Sequence, residues 1–133
     1  MEDLKLTKSP GKIAQFEDME LWQDAVKIAA DLYRLTENGK LKNDWGMKDQ
    51  LRRAACSISN NIAEGFEYNN NPDFIRFLKY AKGSAGEVRN QLYILKEAGF
   101  IESNEYDRFH SRLISLSKQI AGFKKYLIAY QKK

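Results

Sequence analysis

The side chains best suited to catalysis are scarce in this chain, which has one histidine, His110, and one cysteine, Cys56. These two do not supply the Cys and His ligands of a tetrahedral zinc site. A di-iron carboxylate site in a helical bundle requires repeated Glu-x-x-His pairs, which this sequence lacks. The segment GSAGE at 83–87 lacks the Lys-Ser/Thr ending of a phosphate-binding loop. We therefore expect no enzymatic activity, no metal ion and no cofactor, with His110 in a structural role and Cys56 as a small buried residue.

Polar side chains recur at helical spacing within RRAACSISNNIAEG, residues 52–65, at steps of four, four and three. The members of this first polar row are Arg53, Ser57, Asn61 and Glu64. A second polar row, at steps of four, three and four, follows in the next helical segment. Its members are Tyr80, Ser84, Glu87 and Gln91. Residues three and four apart share a helix face, so each row forms one polar face, and the first face lies directly beside an apolar stripe.

The polar rows have two interpretations. In the first, they form a semi-buried ladder at a helix–helix or subunit interface, where Arg53 pairs with Glu64, with Glu87 or with their copies in another subunit. Such networks specify register more than they add net stability. Gly83 and Gly86 flank the second row, and because glycine inside a helix costs about 1 kcal/mol against alanine, we expect them to admit another backbone. In the second interpretation, the rows are solvated faces with incidental spacing.

Basic side chains also recur at helical spacing, and their positions predict where phosphates could bind. In the last helical segment, a row with a seven-residue repeat lies opposite the apolar stripe and consists of Lys118, Lys125 and Lys132. The basic residues that flank this row are Arg108, Arg112 and Lys124. In the preceding segment, a second seven-residue row consists of Lys82, Arg89 and Lys96. We predict that these nine residues bind nucleic acid through its phosphates, without reading sequence. The alternative is that they serve solubility only.

The net charge of +4 is concentrated at one end of the sequence. Residues 108–133 carry seven Lys and Arg and no Asp or Glu, whereas the rest of the chain has a slight acidic excess. A like-charged segment is either a solvated face or a footprint for phosphate groups. The aromatic residues mostly follow core spacing, so no base-stacking platform is expected.

Four amphipathic helices are needed to position these rows. The apolar spacing predicts helices at about 17–37 and 45–67, a third that begins at Pro72 with Asn71 as its cap, and a fourth capped by Ser103. The third and fourth stripes alternate steps of three and four, a repeat typical of long helices that pack at shallow angles. Links of about seven, four and four residues require neighbouring helices to run in opposite directions. The predicted fold class is therefore all-α, an antiparallel up-down-up-down four-helix bundle.

Each predicted helix has an apolar stripe that is expected to form the core. In the first helix the stripe is Trp22, Ala25, Val26, Ala29, Leu32, Tyr33 and Thr36. In the second it is Met47, Leu51, Ala54, Ala55, Ile58, Ile62 and Phe66. In the third it is Phe74, Leu78, Ala81, Ala85, Val88, Leu92 and Leu95. In the fourth it is Tyr106, Phe109, Leu113, Leu116, Ile120, Phe123, Leu127 and Tyr130.

A length of 133 residues is typical of one domain. We divide it into a flexible basic N-terminal arm at 1–15 and a bundle at 16–133. The first residues lack the apolar core of a secretory signal, and no apolar run approaches the ~20 residues of a membrane-spanning helix. These patterns predict a cytoplasmic protein without a membrane partner.

Two runs, DQLRRAACSISNNIAEG and FIRFLKYAKGSAGEVRNQLYILKEAGFI, together with FEDMELWQDAVKIAADLYRLT before them, resemble a bacterial family of four-helix bundles. The family was first named from open reading frames inside intervening sequences of 23S ribosomal RNA genes. The resemblance covers about residues 16–130, and its most specific part is the pair of segments at 50–65 and 83–87. The sequence departs mildly from the family pattern, with Ser59 where a proline is common and Val88 where leucine is usual.

The resemblance implies an assembly and a set of partners. Members are similar to the accessory variability determinant of diversity-generating retroelements, a basic homopentameric barrel that binds a reverse transcriptase and nucleic acid. The implied assembly is a homopentameric ring with the polar rows near subunit contacts, and the implied partners are RNA or DNA and a reverse transcriptase or another protein. No catalytic residue is implied. We therefore expect a non-enzymatic, oligomeric nucleic-acid-binding accessory protein. The alternative is a protein–protein scaffold or adaptor with no nucleic-acid role.

Overall fold

The computed structural model describes residues 13–131, which form four α-helices and contain no strand. The helices are α1 (Glu20–Leu35), α2 (Trp45–Glu67), α3 (Asn71–Glu97) and α4 (Ser103–Gln131). Two 3-10 turns, at Phe16–Asp18 and Gly39–Asn43, precede α1 and α2. The expectation of an all-helical fold with four helices is confirmed, and the bounds predicted for α2 are those observed.

Two of the predicted helix caps are wrong. The side chain of Asn70, and not that of Asn71, accepts a hydrogen bond from the backbone N–H of Asp73 at 2.9 Å. Asn69 takes a left-handed φ of 59° and reverses the chain, which leaves Asn70 extended as the cap and Asn71 as the first helical residue. At α4, Ser103 is already helical.

The residue before Ser103 caps α4. The carbonyl of Glu102 accepts the first helical hydrogen bond, from the Tyr106 N–H at 3.0 Å. The Glu105 carboxylate accepts from the Glu102 N–H at 2.9 Å. This contact is the reciprocal half of a capping box, in which a Glu at the third helical position satisfies the backbone of the cap.

The long stripes predicted for α2, α3 and α4 are confirmed by burial. All seven members of the α3 stripe are buried, as are the five central members of the α2 stripe. Six of the eight α4 members are buried. The other two lie at the ends of the stripe, where Tyr106 is half-buried and Tyr130 is 46% exposed. Steps that alternate three and four therefore locate the core correctly in the long helices.

The stripe predicted for α1 is wrong on one side. The structure buries Leu21, Ile28 and Leu35, whereas Trp22 and Val26 are half-buried and Tyr33 is 41% exposed. Tyr33 lies at the edge that α1 shares with α2. There the Arg52 guanidinium lies 4.3 Å from the centroid of its ring. An aromatic ring with a polar tip suits such an edge, so its helical spacing did not mean burial.

A buried lysine ties the link between α1 and α2. Lys48 is 5% exposed, and its Nζ donates to the Lys42 carbonyl at 3.2 Å and lies 3.4 Å from the Glu37 carboxylate. Arg52 donates to the same carboxylate. The hydrogen bond from Arg52, and then the charge of Lys48, lower the pKa of Glu37. Two cations on one carboxylate therefore hold the end of α1 against the start of α2.

Contacts between helices occur at both ends of the bundle. Between α3 and α4, Asn71 donates to the Leu127 carbonyl at 3.5 Å, and the rings of Tyr93 and Tyr106 lie 5.8 Å apart. Between α1 and α4 the two side-chain hydrogen bonds are Arg112 to Asp31 and Gln119 to Asp24. These contacts therefore fix the position of α4 along the axes of α3 and α1.

The predicted arm at 1–15 lies outside the described residues except for its last three positions. Ile13, at the first of these positions, is 8% exposed and belongs to the core cluster. Packing against the bundle thus begins before the predicted domain boundary at residue 16. No helix in the described part of the chain is long and apolar enough to span a bilayer.

Candidate nucleic-acid interface

The clearest basic surface lies on the outer side of α4. Lys118 and Lys125 are exposed, and neither has an acidic partner within salt-bridge distance among the described residues. The core residues of α4 repeat every seven positions, so residues opposite them, at the same repeat, all project outward. Lys124 is half-buried beside this row, and Lys132, the last predicted member, lies outside the described residues.

Lys82 adds a basic group from α3. It precedes Tyr93 by eleven residues, which is about three helical turns, so both side chains lie on the same side of α3. Tyr93 contacts Tyr106 of α4, which identifies that side as the one facing α4. Lys82 is exposed and has no acidic partner in the described part of the chain. We call Lys82, Lys118 and Lys125 together the basic face.

The other two members of the α3 row, Lys96 and Arg89, are half-buried. The Lys96 ammonium lies 4.7 Å from the ring centroids of both Tyr93 and Tyr106, and it is 3.8 Å from the Glu97 carboxylate. Arg89 is half-buried, and its Nε is buried without a hydrogen-bond partner. A seven-residue repeat alone does not distinguish a free cation from one that packs against aromatic rings.

The two arginines near the start of α4 differ in whether an acidic side chain of the described residues pairs with them. Arg112 donates to Asp31 of α1 at 2.8 Å, with its side chain 34% exposed. Arg108 is exposed and has no acidic partner within the described residues. Both guanidiniums lie near the Phe109 ring, at 5.9 Å for Arg108 and 5.7 Å for Arg112. Arg108 is therefore available to a ligand, whereas Arg112 also holds α1 against α4.

The two polar rows meet between α2 and α3. The hydroxyl oxygens of Ser57 and Ser84 lie 2.9 Å apart, and Asn61 donates to the Ser57 carbonyl at 2.7 Å and to its hydroxyl at 3.0 Å. All three residues are half-buried. This contact agrees with the ladder interpretation for the centre of the rows and places it inside one chain.

Within the chain, the charged members of the rows do not form the predicted pairs. Arg53 donates to Asp49 at 2.8 Å, one turn earlier on its own helix, and this hydrogen bond raises the pKa of Arg53. Within the chain it pairs with neither Glu64 nor Glu87. Glu64 instead accepts a 3.4 Å hydrogen bond from Tyr68. A carboxylate four residues away on the same helix needs no other element to position it, which favours the local pair.

The prediction about glycines is wrong for the single chain. A Cβ added at Gly83 or Gly86 would have nothing within 4 Å. The close approach occurs at Gly65, where an added Cβ would lie 2.7 Å from the Cβ of Phe77 and 3.0 Å from the Phe74 ring. A signal for this was available, because Gly65 continues the buried spacing of the α2 stripe three residues after Ile62.

His110 and Cys56 each contact a tyrosine, and Cys56, which was predicted to be buried, is half-buried. The His110 ring is half-buried and stacks on Tyr106 with centroids 5.4 Å apart. The Cys56 sulfur is half-buried and lies 3.8 Å from the hydroxyl of Tyr33, a contact that raises the pKa of that tyrosine. Among residues 13–131, no group of three or more His, Cys, Asp and Glu side chains is arranged to hold a metal ion.

Comparisons with known proteins agree with this fold. The sequence profile described as 23S rRNA-intervening sequence protein matches residues 17–122. A crystal structure of a protein of unknown function from the S23 ribosomal protein family of Bacteroides thetaiotaomicron is similar, with a TM-score of 0.72 and 23% identity. The similarity covers 79% of this chain and 95% of that one. The chain has no match among curated proteins. Since the profile spans most of the sequence, including both polar rows, the chain belongs to the 23S rRNA-intervening sequence protein family.

Proposed function

We propose that this protein is a non-enzymatic accessory protein that binds nucleic acid through phosphate contacts on its basic face. The observation that carries the proposal is that Lys82, Lys118 and Lys125 are exposed and lack acidic partners among the described residues. Residues 108–133 also contain no acidic residue to offset them. Lysines that neutralise phosphates release counterions, which drives binding without base readout.

The proposal includes an assembly, because three lysines per chain give a small footprint. The helices connect up-down-up-down with antiparallel neighbours, and several copies, five by the family resemblance, form a ring. The contacts at both ends of α3 and α4 support the antiparallel arrangement. Ser57, Asn61 and Ser84 bond to one another inside the chain but are only half-buried, so part of each polar side chain remains open to a neighbouring subunit. Several basic faces on one ring would raise avidity without any new kind of contact.

A substitution in the first polar row tests the assembly. We expect Asn61→Leu to keep the helical content, because the hydrogen bonds that Asn61 donates go to Ser57, one turn earlier on the same helix, and leucine favours helix. We expect the oligomer to dissociate, since the part of the polar row that is open to a neighbouring subunit would lose its amide group. Circular dichroism and light scattering measure the two quantities. An oligomer mass equal to that of the wild type would contradict this role of Asn61.

A second candidate function is that of a protein scaffold, which an aromatic patch favours. Tyr68 and Tyr80 are 49% and 45% exposed, and Tyr68 stacks on Phe77 with centroids 5.2 Å apart. The Arg76 guanidinium lies 4.8 Å from the Phe77 ring. Tyrosine and arginine dominate the energetics of many protein interfaces. A reverse transcriptase or another protein would be the partner under this alternative.

Lysine footprinting tests the proposed function directly. Acetylation of the protein by a small reagent, with and without a saturating 20-nucleotide RNA or DNA, is measured at each lysine by mass spectrometry. We expect the nucleic acid to protect Lys82, Lys118 and Lys125 several-fold. Lys40 and Lys42, which are exposed near the other end of the sequence, serve as controls and should stay reactive. Equal acetylation of all five lysines in both samples would contradict the proposal and leave the scaffold as the better candidate.

A further inference from the structure

Three arginines converge on one pocket between the end of α1 and the start of α4. The pocket has a volume of about 330 Å³, and its lining includes Arg34, Arg108, Arg112, Asp31, Glu105 and Phe109. Phe109 is 3% exposed and forms an apolar wall. A volume of this size lies at the lower end of the range of small-molecule sites, which is roughly 300–1,000 Å³.

The charges in this pocket do not balance. Asp31 accepts from Arg34 through one oxygen at 2.6 Å and from Arg112 through the other at 2.8 Å. One carboxylate thus serves two guanidiniums, and Arg108 has no acidic partner among the described residues. Glu105 is directed to the backbone N–H of Glu102 at the start of α4. Glu105 keeps its negative charge in that contact, so three arginines against Asp31 and Glu105 leave one positive charge facing the pocket.

We infer that this pocket binds the terminal phosphate monoester of a nucleic-acid strand. A phosphate monoester carries about −1.5 to −2 charges near pH 7, whereas an internal phosphodiester carries only one, so a net positive pocket attracts the monoester more strongly. Arginine forms paired, directional hydrogen bonds to phosphate oxygens, which a lysine does not. The inference deepens the proposed function and rests on it for the identity of the ligand as nucleic acid.

The pocket adjoins a second groove, which shares Arg112 with it. The other residues that line this groove are Asp24, Lys27 and Ile28 of α1 and Ser111, Ser115 and Gln119 of α4. From Arg108 to Lys118 is ten residues, or about 15 Å along α4 at 1.5 Å per residue. At about 3.4 Å per nucleotide, four or five nucleotides would cover that distance. A strand whose terminal phosphate is held in the pocket would therefore reach Lys118 with its next few phosphates.

The test compares ten-nucleotide DNA strands of one sequence, labelled internally, that carry a phosphate at the 5′ end, at the 3′ end or at neither. We expect wild-type protein to bind one phosphorylated strand roughly tenfold more tightly than the hydroxyl strand. Arg108→Ala should abolish this preference, so that the phosphorylated and hydroxyl strands bind the variant with equal affinity. Arg53→Ala, which removes another exposed arginine with a salt bridge on its own helix, should keep the preference.

A second arm separates this inference from the proposed function. Calorimetry measures binding of the dinucleotides pTpT and TpT, which are too short to extend from the pocket to Lys118. If the hydroxyl strand fails to bind but pTpT and a phosphorylated strand bind and lose affinity in Arg108→Ala, the pocket is supported and the basic face is contradicted. If the long strands bind with no preference for a terminal phosphate, the basic face stands and the pocket is overturned. Equal weakening of all strands in Arg108→Ala would also overturn it, since Arg108 would then be a general phosphate contact.

Discussion

Gly65→Val is expected to lower the melting temperature by roughly 10 °C, through a loss of about 3 kcal/mol of unfolding free energy. The reason is the contact at the end of α2, where an added Cβ would lie 2.7 Å from the Cβ of Phe77 and 3.5 Å from the Cα of Phe74. Neither atom is the tip of a flexible side chain. The first turns of α3 would have to move away from α2, and the link between them is only three residues long.

A matched control for this prediction exists on α3. Gly83 has helical backbone and open space around the position of a Cβ, and valine has a higher helix propensity than glycine. Gly83→Val should therefore leave the melting temperature unchanged or raise it slightly. Thermal unfolding at equal protein concentrations compares the two variants. A Gly65→Val variant as stable as Gly83→Val would show that α2 and α3 do not pack as described.

The double substitution Lys118→Glu/Lys125→Glu is expected to weaken nucleic-acid binding about 100-fold. A lysine about 6 Å from a phosphate in water contributes about 0.7 kcal/mol. Charge reversal removes this attraction and adds a similar repulsion, so two reversals cost about 3 kcal/mol, which corresponds to roughly 100-fold in affinity. Both side chains are exposed, and glutamate is a good helix former, so the fold should persist.

The control for the double substitution changes the net charge by the same amount elsewhere. Lys40→Glu/Lys42→Glu alters two exposed lysines in the turn before α2. It should reduce affinity by no more than a few-fold, through long-range effects that salt screens. Fluorescence anisotropy with a labelled 20-nucleotide strand compares both variants with wild type. Equal losses in the two variants would mean that total charge, and not the basic face, controls binding.

The sequence predicts the long helices better than their edges. In α3 and α4, seven-residue repeats extend over four or more turns, so one misplaced residue hardly changes the direction of the apolar face. In the shorter α1, the same spacing wrongly predicted that Tyr33 lies in the core. It did not predict the burial of Ile28, which is 2% exposed. The sequence spacing of an amphipathic aromatic residue at a helix edge differs little from that of an aliphatic residue in the core. Only the neighbouring helix, which supplies Arg52 to Tyr33, distinguishes them.

The candidate sites depend on contacts that sequence spacing does not encode. The exposure of Lys118 and Lys125 could be predicted from the sequence because their row lies on a single helix. The arginine pocket was not predicted, because Asp31, which Arg34 and Arg112 share, lies 81 positions before Arg112 in the sequence. Buried Lys48 was missed for a related reason. Its partners are the Lys42 carbonyl and the Glu37 carboxylate. Every residue type has a backbone carbonyl, so the sequence does not indicate which one accepts this hydrogen bond.

The salt dependence of nucleic-acid affinity tests the central claim most directly. The dissociation constant of wild-type protein for a single-stranded 20-nucleotide RNA would be measured from about 50 to 300 mM potassium chloride. If phosphates occupy the three lysines of the basic face, the logarithm of affinity should fall linearly with the logarithm of salt, with a slope of about −2 or steeper. The slope should be shallower by about one for each lysine removed. Affinity that does not change with salt, or no binding at the lowest salt, would contradict the claim that the basic face binds phosphate.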